Sequence, residues 1–119
     1  MPHIINLPEY RDKRGSLTVL EKFLPFQIKR VYFIQDVNGK RGGHKHIKTK
    51  QALICLKGEC TIKVRLENNF KNFKLNKSFL CLILEPNDWH EMYNFSKDSV
   101  LLVLASENYD VNDYIDSYD

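Results

Sequence analysis

Two histidines separated by one residue stand in the run Arg41-Gly42-Gly43-His44-Lys45-His46, and here the sequence concentrates its chemistry. Residues two apart in a β-strand share a face, so His44 and His46 point the same way while Lys45 points opposite. If that face is an interior, two imidazoles converge on one cavity. Unperturbed imidazole titrates near ~6.5, so such a pair can take up and return a proton at cellular pH. Arg41 belongs at the rim of the same cavity. Its guanidinium fork matches phosphate oxygens, which makes it a candidate for binding a diphosphate.

Gln51 follows His46 after four intervening residues, and Gly58 follows after six more. This spacing resembles the first motif of the cupins, with an amide where metal-binding members carry glutamate. An amide is a poor ligand for a divalent transition ion, and the exchange removes one negative charge from the site. The second cupin motif places a histidine five residues after its proline. Glu91 holds that position after Pro86, and His90 comes one place early. Strand alternation aims His90 and Glu91 at opposite faces unless a bulge intervenes. The expected site therefore holds no metal and no cofactor. A centre rebuilt from His44, His46 and Glu91 is the alternative.

The elements that must position these residues are short. β-Branched and aromatic runs are punctuated by Gly, Asn, Asp and Pro, and no long helical period is present. Cys60 to Leu66 is the clearest strand, because Cys60, Ile62, Val64 and Leu66 alternate with Thr61, Lys63 and Arg65. Further strands are predicted at Ile4 to Leu7, Ser16 to Glu21, Lys29 to Asp36, Gln51 to Leu56, Phe70 to Leu75, Phe79 to Leu84, Asp88 to Phe95 and Ser99 to Ala105. Turns are expected at Asn38-Gly39, Lys57-Gly58 and Asn68-Asn69. Leu80 to Leu84 lacks alternation, as a strand covered on both sides would. The acidic, aromatic tail from Tyr109 to Asp119 is expected to form a short turn or helix across the barrel, or to fray. The fold class is all-β, a jelly-roll barrel or sandwich in one domain over residues 1–119.

With 119 residues the chain has room for one core, so any active site lies inside it. A net charge of +3 from 18 basic and 15 acidic residues favours an anionic small molecule. The basic residues are scattered, which argues against nucleic acid as a partner. No apolar stretch approaches the ~20 residues that cross a bilayer, and no charged leader precedes an apolar segment, so neither membrane nor export is expected. Cys55, Cys60 and Cys81 form an odd set without CxxC spacing, which predicts reduced, buried thiols and a cytoplasmic protein.

Five blocks in order, Asp12-Lys13-Arg14-Gly15-Ser16-Leu17, Ile28-Lys29-Arg30-Val31-Tyr32, Arg41 to His46, Asp88-Trp89-His90-Glu91-Met92 and Leu102-Val103-Leu104-Ala105-Ser106, closely resemble the dTDP-4-keto-6-deoxyglucose 3,4-ketoisomerases, the sugar isomerases among the WxcM-like cupins. The resemblance spans nearly the whole chain. It implies a metal-free jelly roll, a homodimer with exchanged N-terminal strands, a dTDP-linked keto-deoxysugar as substrate, and a place in amino-deoxysugar synthesis for surface glycans. It also implies that His44 is the base, with His46 beside it, and that Tyr32 is the proton-donating partner. Phenol, with a reference pKa near ~10, is a competent donor at neutral pH and a poor base.

Arg14, Gln51, Trp89 and His90 are expected to touch the substrate, with Trp89 walling the sugar pocket. Residues at the Arg14 and His90 positions accompany the choice of product in this family, and arginine with histidine resembles the branch forming dTDP-3-keto-6-deoxy-D-galactose. A non-catalytic sugar-nucleotide-binding module is the remaining alternative. Two departures from the family, Lys45 between the histidines and a C-terminal tail that ends early, are expected to lie off the inner face and so to bear on substrate detail more than on the chemistry.

Overall fold

The structure, a computed structural model, describes residues 1–118. Its strands are β1 (His3–Asn6), β2 (Glu9–Asp12), β3 (Gly15–Thr18), β4 (Arg30–Gln35), β5 (Arg41–His46), β6 (Gln51–Lys57), β7 (Cys60–Arg65), β8 (Phe70–Leu75), β9 (Leu80–Leu84), β10 (His90–Tyr93), β11 (Val100–Ala105) and β12 (Tyr114–Ile115), with one 3-10 turn at Val111–Asp113. One five-stranded sheet has the order β1-β9-β6-β11-β4 and the other β12-β5-β10-β7-β8, while β2 and β3 form a separate hairpin. All pairings are antiparallel. From β4 onward the chain changes sheet at every connection except β7 to β8. That is the jelly-roll path of a cupin, here as an open sandwich and not a closed barrel.

Alternation sorts the core. Along β7, Cys60, Ile62 and Val64 are buried and meet Leu53 and Cys55 of β6, Leu82 and Leu84 of β9, and Leu101 and Val103 of β11. Truncating one of these, such as Leu53→Ala, costs about 2–5 kcal/mol. The first sheet is covered on its outer face too. Ala52, Ile54, Cys81 and Ile83 pack there beneath Leu7, Leu24 and Phe26, so β6 and β9 lose the period-two pattern. The cysteines are free and buried, and burial pushes the Cys81 thiol up to about 11. Among the described residues no helix is long and apolar enough to cross a membrane.

The N-terminal strand pairs with β9 of its own chain, Ile4 opposite Leu82. The strand expected from Ser16 to Glu21 is the short β3, paired with an unexpected β2. The tail forms the expected short turn, and after it β12 extends the second sheet, with Tyr114 opposite His46 and Ile115 opposite Lys45.

Candidate active site

The Gly42-Gly43 pair shapes the strand that carries the histidines. His90 of β10 lies opposite His44, but Glu91 lies opposite Gly42, so Gly43 is an extra residue and β5 bulges there. Both glycines have positive φ, 84° and 80°. A Cβ at Gly42 would sit 3.1 Å from the His90 carbonyl oxygen and 3.2 Å from the Glu91 Cα. Glycine thus lets β5 press against β10, and the bulge brings three imidazoles together. Ring centroids of His44 and His46 are 5.2 Å apart, and His90 lies 5.3 Å from His44 and 6.2 Å from His46.

A cavity of about 340 Å³ opens over His44. Tyr32 and Arg30, on one face of β4, line it with Arg41 and Tyr114. The Tyr32 hydroxyl oxygen accepts from Gln51 Nε2 at 3.0 Å, which leaves the phenolic proton free to be donated. Burial, with the nearby Tyr114, pushes the Tyr32 phenol above its usual range against the pull of Arg30, Gln51 and Arg41. Tyr32 is therefore a proton donor at neutral pH. Arg30 lies 5.3 Å over the Tyr32 ring and reaches the Tyr114 hydroxyl at 3.4 Å. Neither Arg30 nor Arg41 forms an ion pair among the described residues, so two guanidiniums face this cavity without a protein anion.

Burial, and then neighbouring His46, hold the His44 imidazole below its ordinary value, so it is a neutral base at pH 7. Fully buried His90 is pulled down to about 3 by burial, despite the Asp88 carbonyl. That carbonyl accepts from Nδ1 at 3.0 Å, which leaves His90 Nε2 bare. His46, 2% exposed, is also held low by burial. Its Nδ1 lies 2.9 Å from Asp113 Oδ2, and its Nε2 has no partner among the described residues. Asp113 also accepts from the Lys48 amide at 2.7 Å and from the Thr49 hydroxyl. Burial opposes its charge, but these donors outweigh burial and hold the carboxyl below the usual carboxylate range.

His44, Tyr32 and Arg41 thus meet around one cavity as expected, with His46 and His90 packed against His44. Gln51 does not line the cavity and bonds to the Tyr32 hydroxyl behind it. Glu91 alternates to the other face of β10 and pairs with Lys40 at 3.6 Å, so the centre of His44, His46 and Glu91 does not form. Among the described residues no three His, Cys, Asp or Glu side chains are arranged to hold a metal ion.

Trp89 is also elsewhere. Its ring packs on Phe70 and Tyr118 and its Nε1 donates to the Asp116 carbonyl at 2.9 Å, so it pins the tail. Arg14 lies on the β2–β3 hairpin, 90% exposed and bonded to Asp12 at 2.6 Å, with no contact to this chain's cavity. The tail, expected to lie off the inner face, supplies Tyr114 and Asp113. Arg30 was missed although period two places it on the Tyr32 face; Asp113 and Tyr114 carry no such signal.

The model of one family, described as FdtA: WxcM-like, C-terminal, matches residues 1–119. The chain belongs to the WxcM-like FdtA family. Within it, the chain is 44% identical over 120 residues to the TDP-4-oxo-6-deoxy-alpha-D-glucose-3,4-oxoisomerase of Aneurinibacillus thermoaerophilus, covering 98% of this chain and 86% of that one. The crystal structure of the sugar 3,4-ketoisomerase QdtA from Thermoanaerobacterium thermosaccharolyticum, in complex with TDP, superposes with a TM-score of 0.94 at 43% identity, over 98% of this chain and 88% of that chain. A QdtA double variant with arginine in place of a tyrosine and histidine in place of an arginine is 45% identical over the same shares, TM-score 0.94. The TDP-quinovose 3,4-ketoisomerase WlaRB of Campylobacter jejuni is 44% identical, TM-score 0.92, over 98% and 93% of the two chains.

Proposed function

We propose that this FdtA-family protein is a 3,4-ketoisomerase that moves the keto group of dTDP-4-keto-6-deoxy-D-glucose from C4 to C3. The observation that carries this reading is His44, a neutral base, sharing one cavity with the Tyr32 phenol and two guanidiniums that form no ion pair among the described residues. The carbonyl at C4 acidifies the C3 hydrogen. His44 removes that proton, the C3–H electron pair forms an enediolate, and Tyr32 stabilises the charge on oxygen. Tyr32 gives its proton to the C4 oxygen and is reprotonated from the C3 hydroxyl, while His44 returns the carbon proton to C4, which leaves a hydroxyl at C4 and the carbonyl at C3. No electrons leave the substrate, so no redox cofactor is needed. Arg41 and Arg30 suit the diphosphate.

Retaining His44 as the sole carbon acid and base favours the galacto product. The C3 hydrogen of the gluco sugar and the C4 hydrogen of the galacto sugar lie on one ring face, so one imidazole can serve both. Arg14 and His90 support the same branch. The double exchange named for the QdtA variant, tyrosine to arginine and arginine to histidine, introduces the residue types this chain carries at Arg14 and His90. A quinovose-named relative stands at 44% and a TDP-fucose-named one at 33%, so this branch rests on Arg14 and His90 and not on whole-chain identity.

Arg14, remote from His44 in its own chain, would reach the His44 cavity of a second copy across a dimer. The hairpin pairs with neither large sheet and exposes Tyr10 and Leu17, while β4 exposes Val31 and Phe33. A second copy exchanging these N-terminal strands would cover both patches. Reduced, buried Cys55, Cys60 and Cys81 favour a cytoplasmic enzyme, whose product would feed amino-deoxysugar synthesis for a surface glycan.

Incubating the purified protein with dTDP-4-keto-6-deoxyglucose and a sugar 3-aminotransferase tests the reading. A 3-amino sugar nucleotide is expected; recovery of unchanged substrate alone would refute it.

A further inference from the structure

The tail places a carboxylate behind the histidine pair. Asp113 closes the 3-10 turn and is 4% exposed. Its two oxygens are fully engaged: Oδ1 accepts from the Lys48 amide, and Oδ2 from the Thr49 hydroxyl and the His46 ring. The Lys48 amide and Thr49 hydroxyl hold the carboxylate in place. A carboxylate can only accept, so it selects the His46 tautomer with the proton on Nδ1. The Nε2 lone pair is then buried among the rings of His44, His90 and Tyr114, with no partner among the described residues.

We propose that Asp113 is a positioning residue for the isomerisation: it locks His46 as the Nδ1–H tautomer, so that an electron-rich ring, and not an N–H, stands against His44 when His44 takes its proton. His90 reinforces the arrangement, because the Asp88 carbonyl selects the same tautomer there. The imidazolium formed on His44 is thereby flanked by two rings with bare Nε2 atoms and a carboxylate behind one of them. An Nε2–H tautomer at His46 would instead set a positive hydrogen against that cation.

This inference rests on the reading of His44 as the base, and Asp113→Asn tests it. The asparagine keeps the shape but offers an NH₂ group toward Nδ1, which turns the His46 proton to Nε2. Where an aspartate orients a histidine that itself takes the proton, the same exchange lowers kcat about 10⁴-fold through the wrong tautomer. Here the effect is one ring removed, and a loss of about 10²-fold in kcat is expected, with KM changed less than about threefold.

Nitrogen-15 NMR of the histidine-labelled enzyme reads the tautomer directly. Wild type is expected to show Nδ1–H at His46 and Asp113→Asn to show Nε2–H. Tyr118→Ala, which loosens the tail at its far anchor on Trp89 and Phe70, is expected to lower Tm and leave the tautomer unchanged.

An Nε2–H or doubly protonated His46 in the wild type at pH 7 would overturn the proposal even if Asp113→Asn does not fold. So would an Asp113→Asn enzyme within threefold of wild-type kcat. A wild-type protein with the expected tautomer but no isomerase activity would sink the functional reading instead.

Discussion

Gln51 Nε2 donates to the Tyr32 hydroxyl at 3.0 Å, from a side chain 1% exposed. The cupin position that a metal-binding member would fill with a carboxylate here orients a phenol. A carboxylate could not donate; it would draw the phenolic proton toward itself and away from the cavity.

Tyr32→Phe removes the hydroxyl and keeps the ring. It is expected to lower kcat about a hundredfold, or about 3 kcal/mol, the cost typical of losing one oxyanion donor. Steady-state kinetics check this, and a loss under fivefold would remove Tyr32 from the chemistry.

Gly42→Ala attacks the bulge. Its φ of 84° disfavours alanine, and the new methyl would meet the His90 carbonyl oxygen at 3.1 Å. Strain of about 1–3 kcal/mol is expected from the backbone alone. Thermal unfolding should show a lower Tm and kinetics a lower kcat together, because the same contact sets His90 against His44. An unchanged pair of values would mean that β5 and β10 can separate freely.

Stability should fall in acid. Burial holds His44, His46 and His90 below their ordinary value of 6.5, His90 at about 3. Below 6.5 the unfolded chain binds protons that the folded chain refuses, so these groups favour the fold fully above 6.5 and progressively less beneath it. Asp113 acts in the same direction: its folded value is depressed, and its contribution disappears as pH falls through that value. For His90 alone the loss between pH 7.5 and pH 5 is about 2 kcal/mol. Urea unfolding at the two pH values measures it; equal or greater stability at pH 5 would contradict the buried neutral rings. The acid limb of kcat/KM should likewise lie below pH 6.5, where His44 protonates.

Much of this was legible in the sequence, and what was not has physical causes. Period two in Cys60 to Arg65 follows from local geometry, so β7 appears as expected, and β5 supplies the strand on which a shared face for His44 and His46 depended. The missing alternation of Leu80 to Leu84 marked a strand covered twice, and Leu24 and Phe26 lie on its second face. Trp89 misled because its side of the strand is set by a tail segment that pairs 27 residues later, at Asp116. Asp113 was invisible for the same reason: an acidic residue near a chain end reads as solvated until the β12–β5 pairing brings it to a buried hydrogen bond with His46, 67 residues away in sequence.

Product branch should follow two side chains. Arg14→Tyr with His90→Arg introduces the residue types that the QdtA double variant replaces. The doubly substituted enzyme is expected to shift toward the 3-keto gluco sugar, read by proton NMR of the product; an unchanged galacto product would assign the branch to other residues.

His44→Asn is the most direct test of the central claim that one imidazole carries the proton between C3 and C4. Conversion of dTDP-4-keto-6-deoxyglucose should fall more than about 10³-fold, beyond the effect of Tyr32→Phe, while calorimetry shows TDP binding within threefold of wild type. Conversion within tenfold of wild type would contradict the account.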